Sequence, residues 1–422
     1  MNETQQIPTP EFSPFPGGRV NFLNRTKGDR VIWAIVILLT LVSILVVYSS
    51  VGSLAYKMNK STESYLFKQV AFIVLGVLII YFAHRVNYTI YSRVATILFL
   101  LSIPLLFYTL KFGSSINEAS RWIKLPVINM TFQTSDLAKL ALFMYMSRQL
   151  SRKQNVIKDF KKGFIALIIP VTIICGLIAP ANLSTALLTG GTGLILMFIG
   201  RVSIKHILLV IGTIMLPALF LILVARHYYN KDEHKGKELP SVFTVGRMPT
   251  WISRVQDFMY ADKADASYQV QQAKIAIAKG GWLGKGPGKS EQRNFLPHPY
   301  SDFIYAIIIE EYGLLGGAVI IFIYLLFLFR SIKLFQKCPY AFGAFLAVAL
   351  SFTLVIQAMV NMAVNVNLFP TTGVTLPLVS MGGSSLWFTC FAIGIILSVS
   401  RNVEQMEGEK ITEAAHQNND EQ

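Results

Sequence analysis

The sequence predicts an all-α, polytopic membrane protein with about ten transmembrane helices and a large extracytoplasmic loop between helices 7 and 8. Composition is the first indication: 53% of the 422 residues are hydrophobic and 14% are charged, against about 25% charged residues in a typical soluble domain. The second is a series of apolar runs close to the ~20 residues that a helix needs to cross a bilayer. The third is the position of the polar residues, which collect between these runs and at both ends of the chain.

Ten apolar segments follow one another and are each interpreted as a helical span. The predicted spans are residues 31–51, 66–84, 92–110, 133–149, 163–181, 183–200, 204–225, 302–329, 341–364 and 376–399. Seven of them lie in residues 31–225 and three in residues 302–400, separated by the hydrophilic loop 226–301. The polar segments 1–30 and 401–422 predict disordered tails.

Lysine and arginine are distributed unevenly over the connections between these spans. One set of connections holds Arg85, Arg93, Arg148, Arg152, Lys153, Lys158, Lys161, Lys162, Arg201, Lys205, Arg330, Lys333 and Lys337. The short connections on the other side hold only Lys57, Lys60, Lys111, Arg121 and Lys124. The positive-inside rule therefore predicts that both termini and the basic connections are cytoplasmic, and that the long loop lies outside.

The formal net charge of +15 does not indicate a nucleic-acid-binding protein. The basic residues lie at the ends of apolar runs, where they set topology and meet anionic lipid headgroups. A nucleic-acid surface would need them clustered on one face or stripe of a domain. Membrane lipids are therefore the predicted partners of this charge. Cys175, Cys338 and Cys390 do not have the spacing of a metal site, and no metal ligands are identified.

Ionisable residues inside or at the ends of spans are functional candidates, because an unpaired charge there is unfavourable by several kcal/mol. They are Lys68, Asp136, Lys139, Asp302, Glu310 and Glu311. Asp302 opens the eighth span beside the long loop, where it can meet both headgroups and water; alternatively it only interacts favourably with the helix dipole. Glu310 and Glu311 are structural or functional carboxylates, with helix orientation as probable a role as chemistry.

Asp136 and Lys139 are three residues apart, so a helix places them on one face as an ion pair. The pair either joins helices or lines a cavity for a lipid headgroup, and we favour the cavity. The glycine-rich run 280–290 imitates a phosphate-binding loop, but Leu283 stands where that pattern requires glycine. We interpret this run as a flexible basic loop that can approach a phosphate-bearing lipid.

Three groups of residues resemble motifs of one known family. The first runs from Tyr268 through the glycines of 280–288 and Leu296-Pro297 to Asp302-Phe303-Ile304, Glu310-Glu311 and Gly313, preceded by Arg254 and Phe258. The second is Asn365 to Gly373, followed by Thr375-Leu376-Pro377-Leu378 and Ser380 to Ser385. The third is Gln133 to Lys139. Together they resemble the SEDS family (FtsW/RodA/SpoVE), and the form Thr-Leu-Pro-Leu is more similar to its division branch.

The chain also departs from the family pattern. His298-Pro299-Tyr300 replaces an acid-x-His element, and Asp136 replaces a glutamate. Ala181-Asn182-Leu183 stands for Pro-Asp-Leu, Met381 for a tyrosine and Thr372 for a lysine. Asp302, the glutamate pair and Gly382-Gly383-Ser384-Ser385 are kept, so the resemblance implies an active member.

The resemblance implies inverting glycosyl transfer on lipid II at the outer face of the cytoplasmic membrane, with a class B penicillin-binding protein and other divisome proteins as partners. Asp302 is the predicted general base. Candidates for binding the substrate and its pyrophosphate are Arg121, Asp136, Lys139, Arg254, Lys285, Lys289, Arg293, Ser384 and Ser385. A divalent cation, Mg²⁺ or Mn²⁺, is a candidate cofactor, and no organic cofactor is expected. The rival hypotheses are a lipid II flippase or transporter and a non-catalytic divisome scaffold.

Overall fold

The all-α prediction is confirmed by a computed structural model, which describes residues 28–52, 54, 59, 61–116, 119–125, 130–230, 235–236, 240, 243–244, 247–259 and 268–420. Ten helices in this part of the chain form the body of the protein. They are α1 (Arg30–Ser50), α2 (Thr62–Arg85), α3 (Tyr88–Phe112), α4 (Thr134–Arg152), α5 (Ile165–Ile178), α6 (Leu183–Ile199), α7 (Ile204–His227), α10 (Ile304–Lys337), α11 (Ala341–Asn365) and α12 (Ser384–Asp420). Two shorter helices, α8 (Met248–Met259) and α9 (Tyr268–Gly280), lie between α7 and α10.

Eight of these helices are long and apolar enough to cross a membrane, α5 together with the π-helical turn Phe160–Phe164 before it. The other two fall short for different reasons. Helix α6 has 17 residues, and α4 carries charged side chains, although most of its residues are buried. Both pack in the bundle, α4 against α3 and α11, and α6 against α5 and α11. The chain is thus a multi-pass membrane protein.

The two ends of the bundle differ. We call the end where residues 228–303 connect α7 to α10 the loop end. At the opposite end, Asp29 caps α1 through the Val31 amide, and its other carboxylate oxygen lies 2.5 Å from Nη2 of Arg330 on α10. The Gly28 and Asp29 amides also donate to Glu404 and Ser400 of α12. This cluster ties α1, α10 and α12 together; residues 1–27 of the predicted tail lie outside the described residues.

Small sheets interrupt the helical fold at the loop end. Strands β1 (Ser114–Ile116), β2 (Ala119–Leu125) and β3 (Met130–Gln133) form an antiparallel sheet in the order β1-β2-β3, and β4 (Tyr229–Asn230) pairs with β5 (Lys235–Gly236). Trp122 lies opposite Gln133 in the first sheet. The sequence analysis assigned no strands here because each run is too short to show a clear alternation.

Helix α7 is loosely attached to the bundle. Its buried residues are Ile207, Val224 and Ala225, while most of its large apolar side chains are exposed. Near its loop end, Val224 and Ala225 pack against Ile252 of α8, and the Gln256 amide donates to the Ala225 carbonyl at 2.9 Å. Helix α8 is therefore joined to α7 more than to the rest of the molecule.

Helix α10 is broken at Gly313, whose φ of 71° and ψ of −177° are not helical. The glycine-rich run after α9 supplies the missing backbone partners. The amides of Lys285 and Gly286 donate to the carbonyls of Glu310 and Glu311, each at 2.9 Å, and the Leu314 amide donates to the Gly281 carbonyl at 2.9 Å. We call residues 281–286 the clasp. The prediction of a flexible loop is wrong, because the clasp is hydrogen-bonded into a helix.

The last span begins and ends differently from its prediction. Residues 376–383 are not helical, and α12 begins at Ser384, because Pro377 and the Gly382-Gly383 pair interrupt the helical pattern. At its other end α12 continues to Asp420, although the sequence predicts disorder after Arg401. Glutamate, glutamine, lysine and alanine are frequent in this segment and favour a helix once one is started.

Candidate active site

A cavity of about 1140 Å³ opens at the loop end. It is lined by Tyr65 and Lys68 of α2, Trp122, Thr131 and Gln133 of the sheet, the polar face of α8, residues 297–303, residues 371–375 and residues 381–385. Asp302, Arg254, Ser384 and Ser385, all named from the sequence, line this one cavity. Segments far apart in the chain thus converge on one space large enough for a sugar ring and a pyrophosphate.

Backbone contacts hold the Asp302 segment rigidly. The Tyr300 carbonyl accepts from the Met381 amide at 2.9 Å, and the Ser301 carbonyl accepts from Ser380 Oγ at 2.6 Å. The Asp302 carbonyl accepts from two side chains of α11, described below. Ser301 Oγ donates to Asp302 Oδ1 at 2.8 Å. The half-buried carboxylate therefore enters the cavity from a fixed backbone, and the first and second sequence motifs are in direct contact.

Helix α8 presents Thr250, Ser253, Arg254 and Asp257 to the cavity, at the three- and four-residue spacing that puts them on one face. Burial, with Arg247 nearby, lowers the pKa of the Arg254 guanidinium, while the negative charges of Asp302 and Asp257 act in the opposite direction. Arg247 also lines the cavity and donates to the Ala181 carbonyl at 2.5 Å. Two arginines thus face the space beside Asp302, where an anion would be stabilised.

Burial raises the pKa of the Asp257 carboxyl, and the neighbouring Arg254 only partly offsets this. A carboxyl whose pKa is raised by folding stabilises the fold fully below its unfolded pKa and loses that contribution as the pH rises through the folded pKa. We therefore expect Asp257→Asn to raise the thermal midpoint at pH 7 and to leave it unchanged near pH 3, below the ordinary pKa of an aspartate. Thermal unfolding of both proteins at the two pH values tests this, and an equal shift at both would contradict it.

Asp136 and Lys139 form the predicted ion pair, with Nζ 2.8 Å from Oδ1. They line a second, smaller cavity of about 40 Å³ with three threonines of α6 and with Gln357, which has room for a small number of waters. The Asp136 Oδ2 atom is buried and has no hydrogen-bond partner in the described residues. Gln133, Gly373, Thr375 and Ser385 line both cavities, so the pair borders the site instead of lining it.

Asp136→Asn should destabilise the protein by about 3–5 kcal/mol, because it leaves the largely buried Lys139 ammonium without its carboxylate. The double variant Asp136→Asn with Lys139→Met should recover most of this loss, since no buried charge remains. Thermal unfolding in detergent compares the two. Equal destabilisation would show that burial of the lysine charge is not the cause.

Three basic candidates are not brought to the cavity. The Lys285 ammonium lies 2.8 Å from Glu291, and Arg293 donates to the Ser49 carbonyl at 2.9 Å. Lys289 is exposed in the same loop. Lys285 belongs to the clasp, Lys289 and Arg293 follow it in the chain, and all three are absent from the residues lining the large cavity. Arg121 lies in β2, and its side chain lies outside the described part of the structure.

Glu310 and Glu311 both make hydrogen bonds to other segments of the protein. Glu310 is fully buried and accepts from Ser290 Oγ at 2.5 Å and from the Glu291 amide at 3.0 Å. Glu311 accepts from Ser49 Oγ of α1. The pair therefore joins α10 to α1 and to the loop that follows the clasp.

Sequence reasoning missed several cavity residues. Arg247 and Asp257 lie in the long loop, where the search for charges inside spans did not reach. Their helical spacing with Arg254 was the available signal, since residues 247, 250, 254 and 257 repeat every three or four positions. Lys68 was noted as an intramembrane charge but not assigned to the site; its side chain lines the cavity.

No cluster of three or more His, Cys, Asp or Glu side chains that could hold a metal occurs among the described residues. Two carboxylates, Asp257 and Asp302, face the large cavity together with arginines.

A family model described as "Cell cycle protein" (FtsW, RodA and SpoVE) matches residues 29–405. The chain belongs to this family. The FtsW/RodA/SpoVE relatives include a probable peptidoglycan glycosyltransferase FtsW of Geobacter sp. (strain M18), 31% identical over 385 residues that cover 90% of this chain and 98% of the relative. Stage V sporulation protein E of Bacillus subtilis is 30% identical and covers 89% of this chain and 98% of its own length.

Two solved structures have the same fold. A chain of a peptidoglycan synthase complex that coordinates polymerization and crosslinking superposes with a TM-score of 0.68 at 22% identity, covering 90% of this chain and 99% of that one. The rod shape determining protein RodA of Thermus thermophilus has a TM-score of 0.60 at 21% identity, with coverage of 89% and 97%. The resemblance drawn from the three motifs is confirmed.

Proposed function

We propose that this chain is a peptidoglycan glycosyltransferase that polymerises lipid II into glycan strands during cell division. The observation that carries the proposal is the convergence of a rigidly held Asp302 and two arginines on one large cavity. A single carboxylate suits this reaction. A pyrophosphate departs as an anion and needs no general acid, whereas glycosidases require two carboxyl groups.

Asp302 is the proposed general base. It takes the proton from the 4-hydroxyl of the acceptor sugar while that oxygen attacks the anomeric carbon of the growing chain. The new carbon–oxygen bond forms as the bond from the anomeric carbon to the undecaprenyl pyrophosphate breaks, with inversion because there is one displacement. The Ser301 hydroxyl donates to Oδ1 of Asp302 and helps to fix the orientation of the carboxylate.

Positive charge must compensate the leaving pyrophosphate. Arg254 and Arg247 line the cavity beside Asp302, and Lys68 adds a third cation from α2. A divalent cation such as Mg²⁺ or Mn²⁺ bound to the pyrophosphate would supply further charge neutralisation. Ser384 and Ser385 offer hydroxyls at the start of α12, where the helix dipole also favours an anion.

The proposed location is the cytoplasmic membrane, with both termini in the cytoplasm and the cavity at the outer face. The distribution of lysine and arginine over the connections supports this orientation. The proposed protein partners are a class B penicillin-binding protein and other divisome proteins. A structurally similar chain comes from a complex that combines polymerization with crosslinking, which supports a transpeptidase partner.

Purified protein, with and without its penicillin-binding partner, should convert labelled lipid II into glycan strands in the presence of Mg²⁺ or Mn²⁺. A gel that resolves strand length measures the product, and a parallel vesicle assay measures movement of labelled lipid II between leaflets. Polymer supports the proposal. Lipid movement without polymer under any partner condition would support a transporter, and neither activity would support a scaffold.

A further inference from the structure

We propose that Asn361 and Asn365 of α11 are positioning residues that fix the backbone of Asp302 for its role as base. The inference rests on the proposed function and adds two residues to its mechanism. Both amides are buried, each with 1% of its surface exposed. They are four residues apart and therefore lie one above the other on a single face of the helix.

Both side chains bind the same atom. Nδ2 of Asn361 and Nδ2 of Asn365 each lie 2.9 Å from the backbone oxygen of Asp302. A carbonyl oxygen has two lone pairs, so two donors satisfy it completely. The carbonyl of the proposed base is thus held from α11, two residues before α10 begins at Ile304.

Each asparagine makes a further hydrogen bond that connects the Asp302 segment to a neighbouring segment. Asn365 Oδ1 accepts from the Ala306 amide at 3.0 Å, a first-turn amide of α10 that also donates to the Phe303 carbonyl at 3.1 Å. Asn361 Nδ2 also donates to the Val374 carbonyl at 2.7 Å. The pair therefore fixes Asp302 relative to the start of α10 and to the segment 371–375 that lines the cavity.

Neither asparagine is among the residues that line the cavity, so they can influence the reaction only through the segments that they hold, and Asp302 in one of these segments is the proposed base. A general base must lie within hydrogen-bond reach of the proton that it takes. A shift of about 1 Å in a reacting group can lower a rate about 100-fold. At position 365 asparagine supplies both a donor to Asp302 and an acceptor for the Ala306 amide on one short side chain, which alanine and aspartate do not.

The test compares Asn361→Ala, Asn365→Ala and the double variant with Ser351→Ala. Ser351 is the matched control: it lies on the same helix and makes a buried hydrogen bond to α10, from its Oγ to Ser331 Oγ at 2.7 Å, far along the helix from Asp302. We expect kcat of the double variant to fall about 100-fold with KM within twofold of wild type, while Ser351→Ala keeps wild-type kcat. Thermal midpoints of all variants are measured in parallel.

A double variant with the kcat of Ser351→Ala would overturn the proposal, as would a raised KM with unchanged kcat, which would mean that the asparagines bind substrate. Hydrogen–deuterium exchange of the peptide covering residues 303–307 gives a second readout that does not need activity. Faster exchange of this peptide in the double variant than in Ser351→Ala is expected. Equal exchange would refute the proposal that the two asparagines hold the backbone of Asp302 and the start of α10. If the wild type makes no polymer, the proposed function fails. The exchange data still decide whether the two asparagines fix the backbone around Asp302.

Discussion

Asp302→Asn is expected to lower the rate of glycan polymerisation by about 10²–10⁴-fold, the usual contribution of a positioned general base. The amide keeps the size of the side chain but cannot take the proton of the acceptor hydroxyl. The fold should not change, because the backbone atoms of residues 300–302, not the carboxylate, make the contacts to α11 and to residues 380–381. Initial rates on labelled lipid II and a thermal unfolding curve measure the two expectations.

Two further variants separate catalysis from charge in the same cavity. Asp302→Glu retains a carboxylate on a longer side chain and should keep a partial rate. Asp257→Asn removes the other cavity carboxylate that we describe, next to Arg254, and should reduce the rate far less than Asp302→Asn. Equal losses for the two Asp→Asn variants would mean that the cavity needs negative charge rather than a base at Asp302.

The sequence predicted the helical fold because each span carries its own signal. A run of apolar residues such as that of α1 or α11 is required by the bilayer and needs no tertiary context to be recognised. The predicted bounds failed where packing or local chemistry takes over, as at residues 376–383, whose non-helical backbone supplies contacts to the Asp302 segment. Helix α4 carries a weaker apolar signal than the other spans because Asp136 and Lys139 lie inside it, and the structure confirms that these two side chains pair with each other.

Part of the site was predicted because some of its residues also carry a local signal in the sequence. Asp302 stood out as a charge at the end of an apolar span, and the structure brings it together with Arg254, Ser384 and Ser385. Lys285 and Arg293 were candidates because basic residues near glycines suggest a phosphate site. Their contacts to Glu291 and to the Ser49 carbonyl depend on how the clasp folds. Tertiary packing decides which of two neighbouring basic side chains faces a cavity, and this packing cannot be derived from a single sequence.

The second large expected effect is a loss of stability when the contact between the clasp and α10 is disturbed. Gly313→Ala should destabilise the protein severely and reduce the yield of folded protein. The φ and ψ of Gly313 belong to a region that only glycine occupies readily. Another residue held in this conformation destabilises the fold by about 1–3 kcal/mol. An added Cβ would also lie 2.2 Å from the Trp282 carbonyl oxygen, and overpacking costs about 1–3 kcal/mol more.

Gly281→Ala is the matched control for Gly313→Ala, since it lies in the same clasp and its carbonyl accepts from the Leu314 amide. Gly281 also has a positive φ, of 52°, but no atom lies within 4 Å of the position of an added Cβ. Only the left-handed conformation is then unfavourable, by about 1–2 kcal/mol. Thermal unfolding and the monodisperse fraction on gel filtration compare the two variants. Similar behaviour would mean that the close approach of the clasp to the break in α10 does not stabilise the fold, whereas a much larger loss for Gly313→Ala would show that it does.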